Sequence, residues 1–248
     1  MLMATPNRAP RTAPPSAGVR PGNKLLRGLP DEDFRRLAQH ARIIPLTPKL
    51  VLQPIHEPIH DVVFPDGGVV SVTAAMLDGS IVEVATIGVE GLVGINAFFG
   101  GGTSDAESMV QVPGATATVL PVSVFKSEVA RSGAFQDCVQ RYSRGMMGLV
   151  MQSAGCLALH SVQQRCCRWL LMAHDRVGRD EFHLSQEFLA AMLGSTRPTV
   201  NVVASALQKS GALRYVHGRI TILDRSELER GSCECYSSVR DLFMRLGL

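Results

Sequence analysis

The sequence predicts an α+β chain: an antiparallel β-roll of jelly-roll type, then one long helix, then a compact helical C-terminal third carrying a small hairpin. Three observations predict it. Between Pro45 and Leu120 short β-rich runs alternate with turn signals. From Ala134 to Leu159 apolar residues recur at spacings near three and four. From Gln186 to Ser205 the run QEFLAAMLGSTRPTVNVVAS reads as two short helices joined by a tight turn.

Taken in order, residues 1–22 hold five prolines, three arginines and no acid, and lack an apolar h-region. They read as a disordered arm rather than a secretory signal. Residues 23–44 read as helical, with Pro30 and the acids Asp31, Glu32 and Asp33 at a helix start. The short runs follow: LVLQP, DVVFP, GGVVSVTAAM, SIVEVATIG, VGINAFFGGG, SMVQVPG and ATATVLP, with Asp78-Gly79 as a hairpin turn between the third and fourth. A roll domain therefore spans 23–133 and includes a short helix over 121–130 near its end. The long helix, 134–159, places Val139, Tyr142, Met146 and Leu149 near a 3-4 spacing, which predicts a dimer seam. Residues 161–177 form another amphipathic helix, with Ser161 as N-cap and Gln164 closing a capping box.

The C-terminal domain, 160–248, carries the most informative stretch. Leu189, Ala190 and Leu193 share one helix face, Gly194 stands in the turn, and Val200 and Val203 point back from the second helix. After Ser210-Gly211, Leu213 and Tyr215 face Ile220 and Ile222 across His217-Gly218, a tight hairpin turn. A helix-turn-helix followed by a hairpin is a winged helix, whose second helix enters the DNA major groove. Ser195, Thr196, Arg197, Pro198, Thr199 and Asn201 lie at or near its start, with His217 and Arg219 in the wing, as candidate DNA contacts. The same apolar spacing serves any buried helical hairpin; the wing sequence is what favours DNA.

Composition narrows the classes. No apolar run approaches a membrane span, so the expectation is a cytoplasmic chain without membrane partner. Residues 1–159 carry 13 basic and 13 acidic groups, and residues 160–248 carry 12 and 9, so the excess lies with the helix-turn-helix. Six cysteines occur and none forms CxxC. Cys233 and Cys235 stand too close for an ordinary zinc pair and no second pair lies at finger spacing, so buried thiols, no metal and no cofactor are expected.

Roll, long helix and winged helix in this order resemble the Crp/Fnr family of bacterial transcription regulators, from about Asn23 to Asp224. The most specific segment runs from His160 to Asp224, HSVQQRCCRWLLMAHDRVGRDEFHLSQEFLAAMLGSTRPTVNVVASALQKSGALRYVHGRITILD. The terminal ELERGSCECYSSVR resembles an extension of one branch. The resemblance implies a cyclic-nucleotide-binding-like roll, a homodimer on a near-palindromic operator of double-stranded DNA, and RNA polymerase as partner. It also implies an effector pocket with a Gly-Glu pair for the ribose and an Arg-Ser/Thr pair for the phosphate. Here Gly94 matches the glycine, but Ile95 replaces the Glu, and Asp105, Ala106 and Glu107 stand where the Arg should be. No Arg or Lys occurs between Lys49 and Lys126. The pocket is degenerate on this reading, and the effector is left open. The cysteine cluster of the family's iron–sulfur branch is missing, since no cysteine precedes Cys138. His56 and His60 match the haem branch by residue type only and read as surface-loop histidines. In the recognition helix, Pro198 replaces a common Glu and Val202 a common Arg.

The leading expectation is a regulator without catalysis. One alternative is a metal-dependent cupin-type enzyme built on His56, His60, Glu57 and Glu83, which Pro58 argues against by interrupting strand alternation. Another keeps the regulator and makes its roll a protein-interaction module.

Overall fold

A computed structural model describes residues 20–248; the arm expected over 1–22 lies outside them except for its last three residues. The chain divides into two compact units, Met1–Val70 with Ile87–Ser143, and Ser71–Thr86 with Arg144–Leu248. This division differs from the boundaries expected at 133 and 159. A hairpin of the roll goes with the C-terminal unit, and the long helix is shared.

The first unit opens with two short helices, α1 (Lys24–Arg27) and α2 (Asp31–Ala38), not with one helix over 23–44. Gly28 caps the first, Pro30 precedes the second, and Ile43 and Ile44 enter a strand instead. Pro30 lacks the N–H that would continue α1, and β-branched residues favour the pleated sheet. Asn23 is fully buried and fully used. Its carbonyl accepts from the backbone N–H of Leu25 and Leu26, and its amide donates to the carbonyls of Pro65 and Gly91 at 3.0 and 2.8 Å.

The roll strands are β1 (Arg42–Pro45), β2 (Val51–Gln53), β3 (Asp61–Pro65), β4 (Val69–Ala75), β5 (Ile81–Ile87), β6 (Glu107–Val112) and β7 (Thr116–Pro121). One antiparallel sheet has the order β1-β7-β3, with Ile44 opposite Ala117 and Val63 opposite Val119. The other has the order β2-β6-β4-β5. Gly79, at a φ of 84°, turns the β4–β5 hairpin at the expected Asp78-Gly79. Helix α3 (Val122–Ala130) follows, and Phe125 and Phe135 meet edge to face with ring centroids 5.6 Å apart.

Helix α4 covers Ala134–Leu159, matching the expected span. Its apolar spacing has a different use from the one expected. Val139, Tyr142 and Leu149 are 0%, 1% and 1% exposed, buried within the chain, and Met146 is half-buried. Tyr142 fills the space over Gly91 and donates its hydroxyl to the Leu92 carbonyl at 3.1 Å. A 3-4 spacing marks a buried face without saying what buries it, and here the neighbour is the same chain. The large apolar residues of α4 that face solvent are Met147, Val150, Met151 and Leu159.

In the second unit, α5 (Val162–Val177) starts at the expected capping box on Ser161 and Gln164 and ends at Gly178 in the left-handed region. Strand β8 (Glu181–His183), helices α6 (Gln186–Met192) and α7 (Arg197–Lys209), and strands β9 (Leu213–Val216) and β10 (Arg219–Ile222) follow, in a sheet ordered β8-β10-β9. The chain closes with α8 (Arg225–Gly231) and α9 (Cys235–Arg245). Phe243 and Leu246 of this last segment lie over Gly145 of α4, and Leu242 lies over Gly148. Gly145 and Gly148 are the notches of α4 that admit a neighbouring helix. Among the described residues no helix is long and apolar enough to cross a membrane.

Candidate nucleic-acid interface

The helix-turn-helix is held by the skeleton its sequence announces. Leu189, Ala190, Leu193, Val200, Val203 and Leu207 are all buried. Gly194 turns the chain at a φ of 55°, where a side chain would be strained. Thr196 is the N-cap of α7, its hydroxyl accepting from the Thr199 N–H at 3.4 Å and lying 2.9 Å from the Thr199 hydroxyl. Arg197 and Pro198 occupy the first turn, where the missing proline N–H costs nothing.

The buried set fixes the opposite face. At 100° per residue, Pro198, Val202, Ser205 and Lys209 lie at the centre of the exposed side of α7. All four are exposed, Val202 by 70%. Arg197 and Asn201 flank this line on one side and Thr199 on the other, all exposed; Ser195, in the turn, is half-buried. Sequence reasoning named the residues at the helix start, met Val202 only as a replacement for the family's Arg, and missed Ser205 and Lys209. The helical period would have found them.

The wing turn is His217-Gly218, both at positive φ (49° and 76°), as a tight two-residue hairpin requires. The wing is tied to the helices by Tyr215. Its N–H donates to the Gln208 side chain at 2.9 Å and its hydroxyl to the Leu184 carbonyl at 2.6 Å. Burial pushes the Tyr215 phenol up to about 12, so it keeps the proton it donates. Arg219 is not a free cation: it pairs with Glu181 across β8–β10 at 2.9 Å. Both partners are half exposed, so the pair is weak and exchangeable for a phosphate. A groove lined by Ser185, Gln186, Arg197, Tyr215 and His217 joins the start of α6, the start of α7 and the wing.

The expected effector positions lie in the first unit. Gly94 takes a φ of 93° and Ile95 opens a 3-10 turn, Ile95–Ala97. Asp105 is exposed and accepts from the Asn96 amide at 3.1 Å, while Ala106 and Glu107 are half-buried at the entry to β6. His56, Glu57 and His60 are exposed, and Glu83 belongs to the other unit, hydrogen-bonded to Ser71 and, at 2.8 Å, to the Trp169 indole. Among the described residues, the ligand-type side chains that come together are a different set. Cys156 and His160 at the end of α4 and Cys233 and Cys235 at the start of α9 present ligand atoms all within 4.8 Å of one another. All six cysteines are buried, as expected, and three of them stand together beside a histidine. The partner of the Cys233-Glu234-Cys235 pair is a Cys–His pair in another helix, which a search for finger spacing does not meet.

Residues 164–230 match the family model described as the Crp-like helix-turn-helix domain. No curated protein matches the chain in sequence. Solved structures share its fold. FixK2 from Bradyrhizobium japonicum is 16% identical with a TM-score of 0.67, covering 78% of this chain and 98% of its own. A transcriptional regulator of the CRP family from Thermus thermophilus, TTHB099, is 21% identical with a TM-score of 0.63, covering 76% and 95%. CLP, described as a c-di-GMP-responsive global regulator from Xanthomonas campestris, is 15% identical with a TM-score of 0.62, covering 78% and 99%. The protein has the α+β fold of the solved Crp/Fnr transcription regulators, and residues 164–230 carry the match to the Crp-like helix-turn-helix domain.

Proposed function

We propose that this protein is a cytoplasmic transcription regulator that binds a near-palindromic operator as a homodimer, with RNA polymerase as its partner on the promoter. The observation that carries the reading is the exposed face of α7 within a Crp-like helix-turn-helix domain. Arg197 is the candidate for a bidentate guanine contact through O6 and N7. Asn201 has the donor–acceptor pair that suits adenine, and Val202 suits a thymine methyl. Ser195, Thr196, Thr199, His217 and Arg219 serve phosphates, which position the protein without reading sequence.

Dimerisation is assigned to the solvent-facing stripe Met147, Val150 and Met151 of α4, not to Val139, Tyr142, Met146 and Leu149. The spacing of three and four along the helix is that of a two-helix seam, and the occupant is a second copy because a two-fold operator needs two recognition helices.

The effector is not cyclic AMP at the usual place. Ile95 offers no polar group to a ribose, and Asp105 and Glu107 stand near where a phosphate would need an Arg fork. Gel-shift titration of the wild type and Arg197→Ala on matched and mismatched duplexes tests the DNA reading. Support is a loss of preference at one base pair; identical affinity and preference in both proteins contradicts it.

A further inference from the structure

We infer that Cys156, His160, Cys233 and Cys235 form a closed tetrahedral Cys3His site for one zinc ion, which clamps the start of α9 to the end of α4. The distances carry this. A single ion with Zn–S near 2.3 Å and Zn–N near 2.0 Å in tetrahedral geometry sets its sulfurs about 3.8 Å apart and sulfur and nitrogen about 3.6 Å apart. Cys156 Sγ lies 3.6 Å from Cys233 Sγ, and Cys235 Sγ lies 3.5 Å from His160 Nδ1. All four ligand atoms fall within 4.8 Å of one another. An iron–sulfur cluster spreads its thiolates over separate irons and does not fit so tight a set.

The local backbone explains how the set arises. Cys156 and His160 stand one turn apart on the same helical face, the His160 N–H closing α4 onto the Cys156 carbonyl at 3.1 Å. Cys233 precedes α9 and Cys235 opens it. The three cysteines are 0%, 5% and 0% exposed, which suits a structural site with no open position.

The surrounding groups fit a metal as well. With Nδ1 turned to Cys235, the other ring nitrogen of His160 lies 3.2 Å from a Glu234 carboxylate oxygen. That is the carboxylate–histidine arrangement that fixes the tautomer and orientation of a ligating imidazole. The residue between the two cysteines thus has its own task. The Gln152 amide donates to Cys235 Sγ at 3.0 Å, a bond suited to a thiolate. Zinc is favoured over magnesium or calcium because three ligands are sulfur. Binding it releases the thiol protons. With α9 fixed at its first turn, Leu242, Phe243 and Leu246 are held along Gly145 and Gly148 of α4.

The test uses the full-length protein, purified under reducing conditions and supplied with zinc. Metal analysis should find one zinc per chain, and a mercurial titration should release it as three thiols react. Cobalt(II) in place of zinc should give the visible spectrum of a tetrahedral thiolate site. Cys235→Ser and His160→Ala should lose the ion, and Cys138→Ser should keep it. Glu234→Gln leaves all four ligands in place, so the fold is retained, and should weaken zinc binding 10–100-fold. The inference is overturned if folded, reduced protein takes up no zinc or cobalt, if iron with sulfide is found instead, or if the His160 and Cys235 variants hold metal as the wild type does.

Discussion

At the scale of single residues, chemistry is decided by what each side chain has around it. Arg197 is exposed in the first turn of α7, so its guanidinium is available to a base edge. Arg197→Ala is expected to cost about 1–3 kcal/mol on the specific operator and to relax one base-pair preference, read by fluorescence anisotropy on single-mismatch duplexes. Glu83 is the opposite case. Burial raises its carboxyl from 4.5 to about 7, against the hydrogen bonds from Ser71 and Trp169 and the charges of Arg168 and Arg176. The folded state therefore holds this proton more tightly than the unfolded chain. Its contribution is fully present below about pH 4.5 and is lost as the pH rises through about 7. Stability should fall by roughly 3 kcal/mol across that window. Urea unfolding followed by Trp169 fluorescence at several pH values measures this, and Glu83→Gln should flatten the profile. Gly91 is fixed by contact: an added Cβ would fall 2.7 Å from the buried Tyr142 ring. Gly91→Ala should destabilise by about 1–3 kcal/mol in thermal unfolding.

At the scale of elements, what was legible in the sequence was whatever depends on near neighbours along the chain. The capping box of α5, the limits of α4, the Asp78-Gly79 and His217-Gly218 turns and the apolar skeleton of α6–α7 follow from local patterns. The metal-type cluster depends on residues 77 apart and was not legible. The apolar face of α4 is a related case. Period gives a buried face, but only the fold says that Tyr142 is taken by Gly91 and Leu92. The helix over 23–44 failed where Gly28 and Pro30 break the chain and Ile43 and Ile44 find strand partners. The solvent-facing stripe of α4 gives its own prediction. Met147 and Met151 are 56% and 66% exposed, so changing both to Glu leaves the chain folded. Four like charges facing across a seam should leave monomers in light scattering. A variant that stays dimeric places the contact elsewhere.

At the scale of the whole molecule, the roll shares its fold with regulators, but the positions expected to grip a cyclic phosphate carry no cation. Calorimetry with cyclic AMP and cyclic GMP should show no micromolar binding, and neither should raise operator affinity; activation by either would restore the usual pocket. In the proposed dimer two copies of α7 read DNA together. Selection of duplexes from a randomised pool by this chain tests that most directly. Enrichment of two related half-sites in two-fold symmetry, about 10 base pairs from centre to centre and lost in Arg197→Ala, is expected. A pool that stays random, or that converges on one unpaired site, would contradict it.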